Sequence, residues 1–221
     1  MAGVIFWDVD TQYDFMKADG KLYVPEAETI IPALQQLSDF AHARGIRVVA
    51  SADDHVLDDP EISDTPDWHV TYPPHCMRGS PGQRRIAETT PRDPLIVDSA
   101  PADAAELAQR VRSHRGDIVI HKHTVDVFAN PNTDTVIRAL APEAVVVYGV
   151  ATDVCNRRAI EGFLERHPNI RLYAVTDAMR AIRTTAAAAL LSAWQERGVE
   201  LVTTDDILSG RTALLPAETR T

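Results

Sequence analysis

Ala144-Val145-Val146-Val147-Tyr148-Gly149-Val150 is the most apolar run in the chain, and Ala151-Thr152-Asp153-Val154-Cys155 follows it directly. A short run this rich in β-branched residues, with no polar alternation, reads as a strand buried on both faces in the centre of a parallel sheet. The pattern after it, 153–166, is helical. Outward in both directions the same alternation repeats. Strands are expected at 4–10, 46–53, 117–122, 170–175 and 199–202, and helices at 25–44, 102–113, 133–140 and 184–197. Ile30, Ile31, Leu34, Leu37 and Phe40 give the first long helix its apolar stripe, and Gly45 suits its end. After a long irregular stretch, 55–91, rich in Asp, Pro, Gly and His, regularity returns at Leu95-Ile96-Val97-Asp98, which counts as the third strand. Strands alternating with helices predict an α/β fold, a parallel sheet covered by helices on both faces. No repeat or linker divides the chain, so a single domain over 1–221 is expected, with a tail at 210–221.

Composition narrows the function. The formal net charge is -10 and the basic residues form no run, which argues against nucleic acid as a partner. No apolar stretch approaches the roughly 20 residues that a membrane span needs, and the N-terminus lacks the pattern of a secretory signal, so a cytoplasmic location is expected. Cys76 and Cys155 are too few for a disulfide framework and are read as thiols.

In open parallel sheets, ligands bind beyond the carboxyl ends of the strands. Three strands end suggestively there: the first at Asp10, another at Lys122, and the 144–150 strand running into Cys155. With Thr152 as N-cap, Cys155 falls in the first helical turn, where the helix dipole and Lys122 would both favour a thiolate. Asp10 could accept the thiol proton and return it to a leaving group, and the backbone N–H groups of Ala151 and Cys155 could hold an oxyanion. Asp8, two residues before Asp10, is a rival carboxylate. Asp53, His55, Glu61, His69 and His75 make a second cluster of metal-ligand types. Asp53 and His55, two apart on an extended segment, point the same way and can share a cation.

These segments resemble the isochorismatase-like cysteine hydrolases, and within them the nicotinamidase-like subgroup. Asp10-Thr11-Gln12-Tyr13-Asp14-Phe15 is similar to the family's opening motif, Lys122 to its strand-end lysine, and Gly149 to Cys155 to its nucleophile segment. The resemblance covers about 4–178 and implies an Asp10–Lys122–Cys155 triad, a six-stranded parallel sheet and a cis peptide between Val150 and Ala151. The family has an apolar residue where Asp8 stands, so the resemblance, through the spacing to Gln12, Asp14 and Phe15, implies Asp10 as the catalytic carboxylate, and Asp8 is expected to be a paired buried carboxylate.

Asp53-x-His55 followed by Tyr72-Pro73-Pro74-His75-Cys76 is similar to the subgroup's metal motif. It implies a divalent ion, zinc, iron or manganese, on Asp53, His55 and His75. Glu61 occupies the position of a further ligand that is commonly histidine, with His69 in reserve. The implied reaction is hydrolysis of nicotinamide or a similar small carboxamide, the metal holding the pyridine nitrogen. Phe15, Tyr72 and Trp68 could sandwich a flat ring. Cys76 is read as packing. A homo-oligomer is implied, and the 86–115 region is about a helix longer than in compact members, which leaves substrate size open. The alternatives are an isochorismatase-like hydrolase of another small molecule and a catalytically idle ligand- or partner-binding domain of the same fold.

Overall fold

In the computed structural model, which describes residues 3–212, seven parallel strands form one sheet. They are β1 (Gly3–Val9), β2 (Arg47–Asp53), β3 (Leu95–Val97), β4 (Ile118–Lys122), β5 (Pro142–Val150), β6 (Arg171–Arg180) and β7 (Glu200–Val202). Their order is β3-β4-β2-β1-β5-β6-β7. The six strands that the resemblance implies are seven here, because Leu95–Val97, the short third strand, pairs with β4 at the edge of the sheet. β5 is interior, as its composition demands, flanked by β1 and β6; β1 is the middle strand. The expected tail falls largely on 213–221, outside the described residues.

Strand periodicity sorts side chains to the two faces. Ile5, Trp7 and Val9 of β1, with Val145 and Val147 of β5, face one core; Phe6 of β1, with Val146 and Tyr148 of β5, faces the other. The first core is covered by α3 (Ala104–Ser113), α4 (Thr133–Leu140), α5 (Cys155–Arg166) and α6 (Thr184–Glu196). There the Trp7 ring meets Phe163 of α5 edge-on, 4.9 Å between centroids. The second is covered by α1 (Tyr13–Met16), α2 (Ile31–Ala43) and α7 (Thr204–Leu208). α2 ends in a Schellman arrangement: Gly45, at φ 64°, donates to the His42 carbonyl and Ile46 to that of Ala41. The longer 86–115 region supplies β3 and α3, and none of its residues lines the cleft described below.

From β1 the chain passes to β2 on one side, whereas β5 returns to the other. β1 and β5 thus border the switch point where an open parallel sheet leaves a crevice at its carboxyl edge. The strands approach closely there because Gly149 has no side chain. At φ 112°, a Cβ on Gly149 would lie 2.1 Å from the Val9 carbonyl oxygen. Gly149→Ala is therefore expected to destabilise the fold by about 3 kcal/mol or more, read from urea denaturation. A wild-type midpoint would show that β1 and β5 need no such approach.

Candidate active site

β1 ends at Val9, and Asp10 then leaves the strand in the left-handed region, φ 49°, so the alternation that would put Asp8 and Asp10 on one face stops between them. Asp8 pairs with Arg85 instead. Asp10 is fully buried; its Oδ1 accepts from Ser51 Oγ at 2.6 Å, and its Oδ2 lies 2.9 Å from Lys122 Nζ. In the β2–β4 ladder Asp53 sits opposite Lys122, so sheet register places a second carboxylate against the same ammonium. Lys122 Nζ is also 3.7 Å from Cys155 Sγ. Burial opposes the charge on Lys122, yet Asp10 and Asp53 hold it well above the ordinary lysine range.

Cys155 opens α5 at its first helical position, where the N–H has no intrahelical acceptor. Thr152 is not the cap that the sequence suggested. Its N–H donates to the Arg180 carbonyl, and the helix start is shaped by the Val154 and Asn156 N–H groups on the Ala151 carbonyl. The Val150–Ala151 peptide is cis. The expected lowering of the thiol does not prevail. Burial pushes Cys155 well above the ordinary cysteine range, Lys122 pulls it down, and Asp10 and Asp53 push it up again. That direction favours the thiol over the thiolate, which gives a carboxylate beside the sulfur a role as proton acceptor.

Asp53, His55, Glu61 and His75 converge, each with a ligand atom within 4.8 Å of the others, and all four are buried. His55 Nε2 lies 3.6 Å and His75 Nε2 3.4 Å from Asp53 Oδ2, and both face Glu61 Oε1, at 3.9 and 4.0 Å. His75 Nδ1 meets the Pro73 carbonyl at 2.7 Å; a carbonyl only accepts, so that nitrogen carries the proton and Nε2 keeps its lone pair. His55 Nδ1 is held likewise by Asp59 at 3.0 Å, and its Nε2 is a buried atom with no hydrogen-bond partner. Burial and Asp53 push the Glu61 carboxyl up. Two lone pairs and two carboxylates turned inward, one imidazole nitrogen unsatisfied, fit a divalent cation. His69 stands on an exposed part of the same loop, outside the group.

Cys155 shares one mostly apolar cleft with Asp53, Glu61 and His75, bounded by Phe15, Leu22, Val24, Tyr72, Val125 and Ile182; Asp10, Lys122 and His55 do not line it. The Phe15 and Tyr72 rings lie 5.4 and 6.2 Å from the His75 ring. Trp68 does not join them. It is 56% exposed, at φ 61°, on a turn that the Asp67 carboxylate organises by accepting three N–H groups. Cys76 is fully buried in the second core, its N–H on Asp14. Of the supporting residues, Gln12 belongs to the opening motif, while Ser51, Asp59 and Val125 carried no sequence signal. Ser51 orients Asp10; Gln12 bonds both the N–H and the carbonyl of Asp53; Asp59 accepts from His55 and lies 2.8 Å from His123 Nδ1; and the Val125 N–H fixes Glu61.

A thiol at a helix start beside a buried lysine and aspartate, at the switch point of a parallel sheet, defines an α/β cysteine hydrolase. Residues 4–206 match the Isochorismatase domain, and the chain belongs to that family. It is 30% identical over 198 residues to the nicotinamidase/pyrazinamidase of Mycobacterium tuberculosis, covering 88% of this chain and 95% of that protein. The N-carbamoylsarcosine amidase structure from Thermoplasma acidophilum aligns with a TM-score of 0.68 at 26% identity, over 93% of this chain and 98% of that one. The pyrazinamidase of Pyrococcus horikoshii, solved in complex with zinc, shares the fold with a TM-score of 0.69 at 22% identity, over 90% and 98% of the chains.

Asp59 tests the cluster without recourse to turnover. Removing an outer carboxylate that orients a ligand imidazole typically costs 10–100-fold in metal affinity, so Asp59→Ala is expected to lose about that factor in competition with a chromogenic chelator. Equal affinity in the variant and wild type would remove Asp59 from the site.

Proposed function

We propose that the protein is a metal-assisted cysteine amidohydrolase that converts nicotinamide or a similar small carboxamide to the acid and ammonia. One observation carries this reading: Cys155 Sγ, 3.7 Å from Lys122 Nζ, shares its cleft with Asp53, Glu61 and His75. The identity to a nicotinamidase/pyrazinamidase over most of both chains supports the choice of amide.

Asp10 takes the thiol proton as Sγ attacks the amide carbon, and Lys122 stabilises the sulfur as it gains charge. The carbonyl oxygen becomes an oxyanion held by the N–H groups of Ala151 and Cys155. Its collapse breaks the C–N bond, the proton from Asp10 goes to the nitrogen, and ammonia leaves a thioester on Cys155. Water, deprotonated by Asp10, then attacks the thioester; the acid departs and the proton returns to sulfur. Phe15 and Tyr72 bracket a flat ring, and the apolar walls exclude bulk water. Asp53, His55, Glu61 and His75 would hold zinc, iron or manganese, which supplies a Lewis-acid anchor for a ring nitrogen and so orients the substrate. A homo-oligomeric state is inferred from the family resemblance, and a cytoplasmic location from the sequence.

The test is ammonia release from nicotinamide, pyrazinamide, N-carbamoyl amino acids and aliphatic amides. Turnover of an aromatic carboxamide is expected, with a loss of at least about a thousandfold in Cys155→Ala. Release from none of these amides would end the amidase reading, and full activity in Cys155→Ala would exclude the nucleophile. Chelator treatment is expected to lower kcat/KM for nicotinamide, and a divalent ion to restore it; indifference to both would separate the cluster from the reaction.

A further inference from the structure

Asp8 and Arg85 form a buried ion pair that the chemistry above leaves unused, the two side chains only 1% and 8% exposed. The segment bearing Arg85 is tied along the chain that leaves β1. Gln12 and Arg85 form an antiparallel bridge, the Tyr13 N–H donates to the Arg84 carbonyl at 2.8 Å, and the Ile86 N–H to the Thr11 carbonyl at 3.0 Å. From there the guanidinium grips the pieces of chain that surround Asp10. It meets the Asp8 carboxylate, donates to Thr11 Oγ1 at 2.5 Å, and donates to the Ser51 carbonyl at 2.9 Å.

That carbonyl also accepts the Asp10 N–H at 3.3 Å, and the hydroxyl of the same Ser51 fixes Asp10 Oδ1. Asp10 itself holds a left-handed backbone, φ 49°, which a residue with a side chain keeps only where its surroundings impose it. Residues 8, 11 and 51 therefore bracket Asp10, and one guanidinium binds all three. We propose that the Asp8–Arg85 pair is a positioning element for the general base, holding Asp10 through Ser51 so that Oδ2 stays turned toward Lys122 and the thiol. The inference rests on the reading of Asp10 as the base. Its physical basis is that proton transfer tolerates only about half an ångström of misplacement, and a buried, multiply bonded guanidinium is stiffer than a solvated one.

Steady-state kinetics on the full-length enzyme, with the best amide from the panel above, test it. The Asp8→Leu/Arg85→Met double variant removes the pair without stranding a buried charge. It and Ser51→Ala are each expected to lose about tenfold or more in kcat with KM within about twofold, and their combination no more than the larger single loss, because both act through Asp10. A folded double variant with wild-type kcat, or losses that multiply, would overturn the proposal. Should the double variant fail to fold, Arg85→Lys and Thr11→Val carry the test: the same split of kcat from KM is expected, and unchanged kcat in both is fatal. Asp10→Asn separates the two readings. Full activity there removes the base itself, whereas an inactive Asp10→Asn beside a fully active pair variant removes only the positioning role.

Discussion

The ammonium of Lys122, only 1% exposed, faces two carboxylates and a thiol, and the remainder of the site is arranged around it. A buried charge is tolerable only when paired, so Asp10 and Asp53 must both be delivered to the same point. Sheet register delivers them. Asp53 is the direct neighbour of Lys122 across the β2–β4 ladder, and Asp10 is joined to β2 through Ser51. A slip of one residue in either strand would turn these groups to the wrong face.

Asp53 also connects the two halves of the cleft. Oδ1 serves the lysine, while Oδ2 faces the two imidazoles. Asp53 thus joins the lysine beside Cys155 to the candidate metal cluster. The loop carrying the other ligands hangs from the same strand end. His55 bridges to Met77, Ile62 bridges to Tyr72, and Asp14 accepts from the Cys76 N–H. Its irregular, polar composition reflects that work: polar and backbone groups, more than an apolar core, set its shape.

Much of this was legible in the sequence where local chemistry suffices. The apolar strands, the helices at 104–113 and 133–140, and the convergence of Asp10, Lys122 and Cys155 follow from periodicity and from the rule that strand ends border the crevice. Leu95–Val97 was legible as a short third strand; at three residues, one of them 40% exposed, it is short enough to drop from the six-stranded count that the resemblance implies. α7 escaped because it is short, although Thr203 and Asp206 form a capping box there. Thr152 misled because N-cap preference is a local rule, and the turn at Ala151 follows the pairing of Thr152 with Arg180 instead. Trp68 misled because its place in sequence beside Tyr72 says nothing of a turn that Asp67 folds outward. Ser51, Asp59 and Arg85 gave no signal, since each matters through a partner supplied by tertiary contact. Asp8, an oddity in the sequence, became intelligible once Arg85, distant in the chain, was seen against it.

In the proposed reaction Cys155 carries the substrate's acyl group between two half-reactions. Rapid acid quenching during turnover, followed by peptide mass spectrometry, tests it most directly. The peptide containing Cys155 is expected to gain the mass of the acyl group, transiently and only with substrate, while the peptide containing Cys76 is not. Steady ammonia release with no acylated Cys155 at any quench time, or an acyl group trapped on another residue, would contradict it.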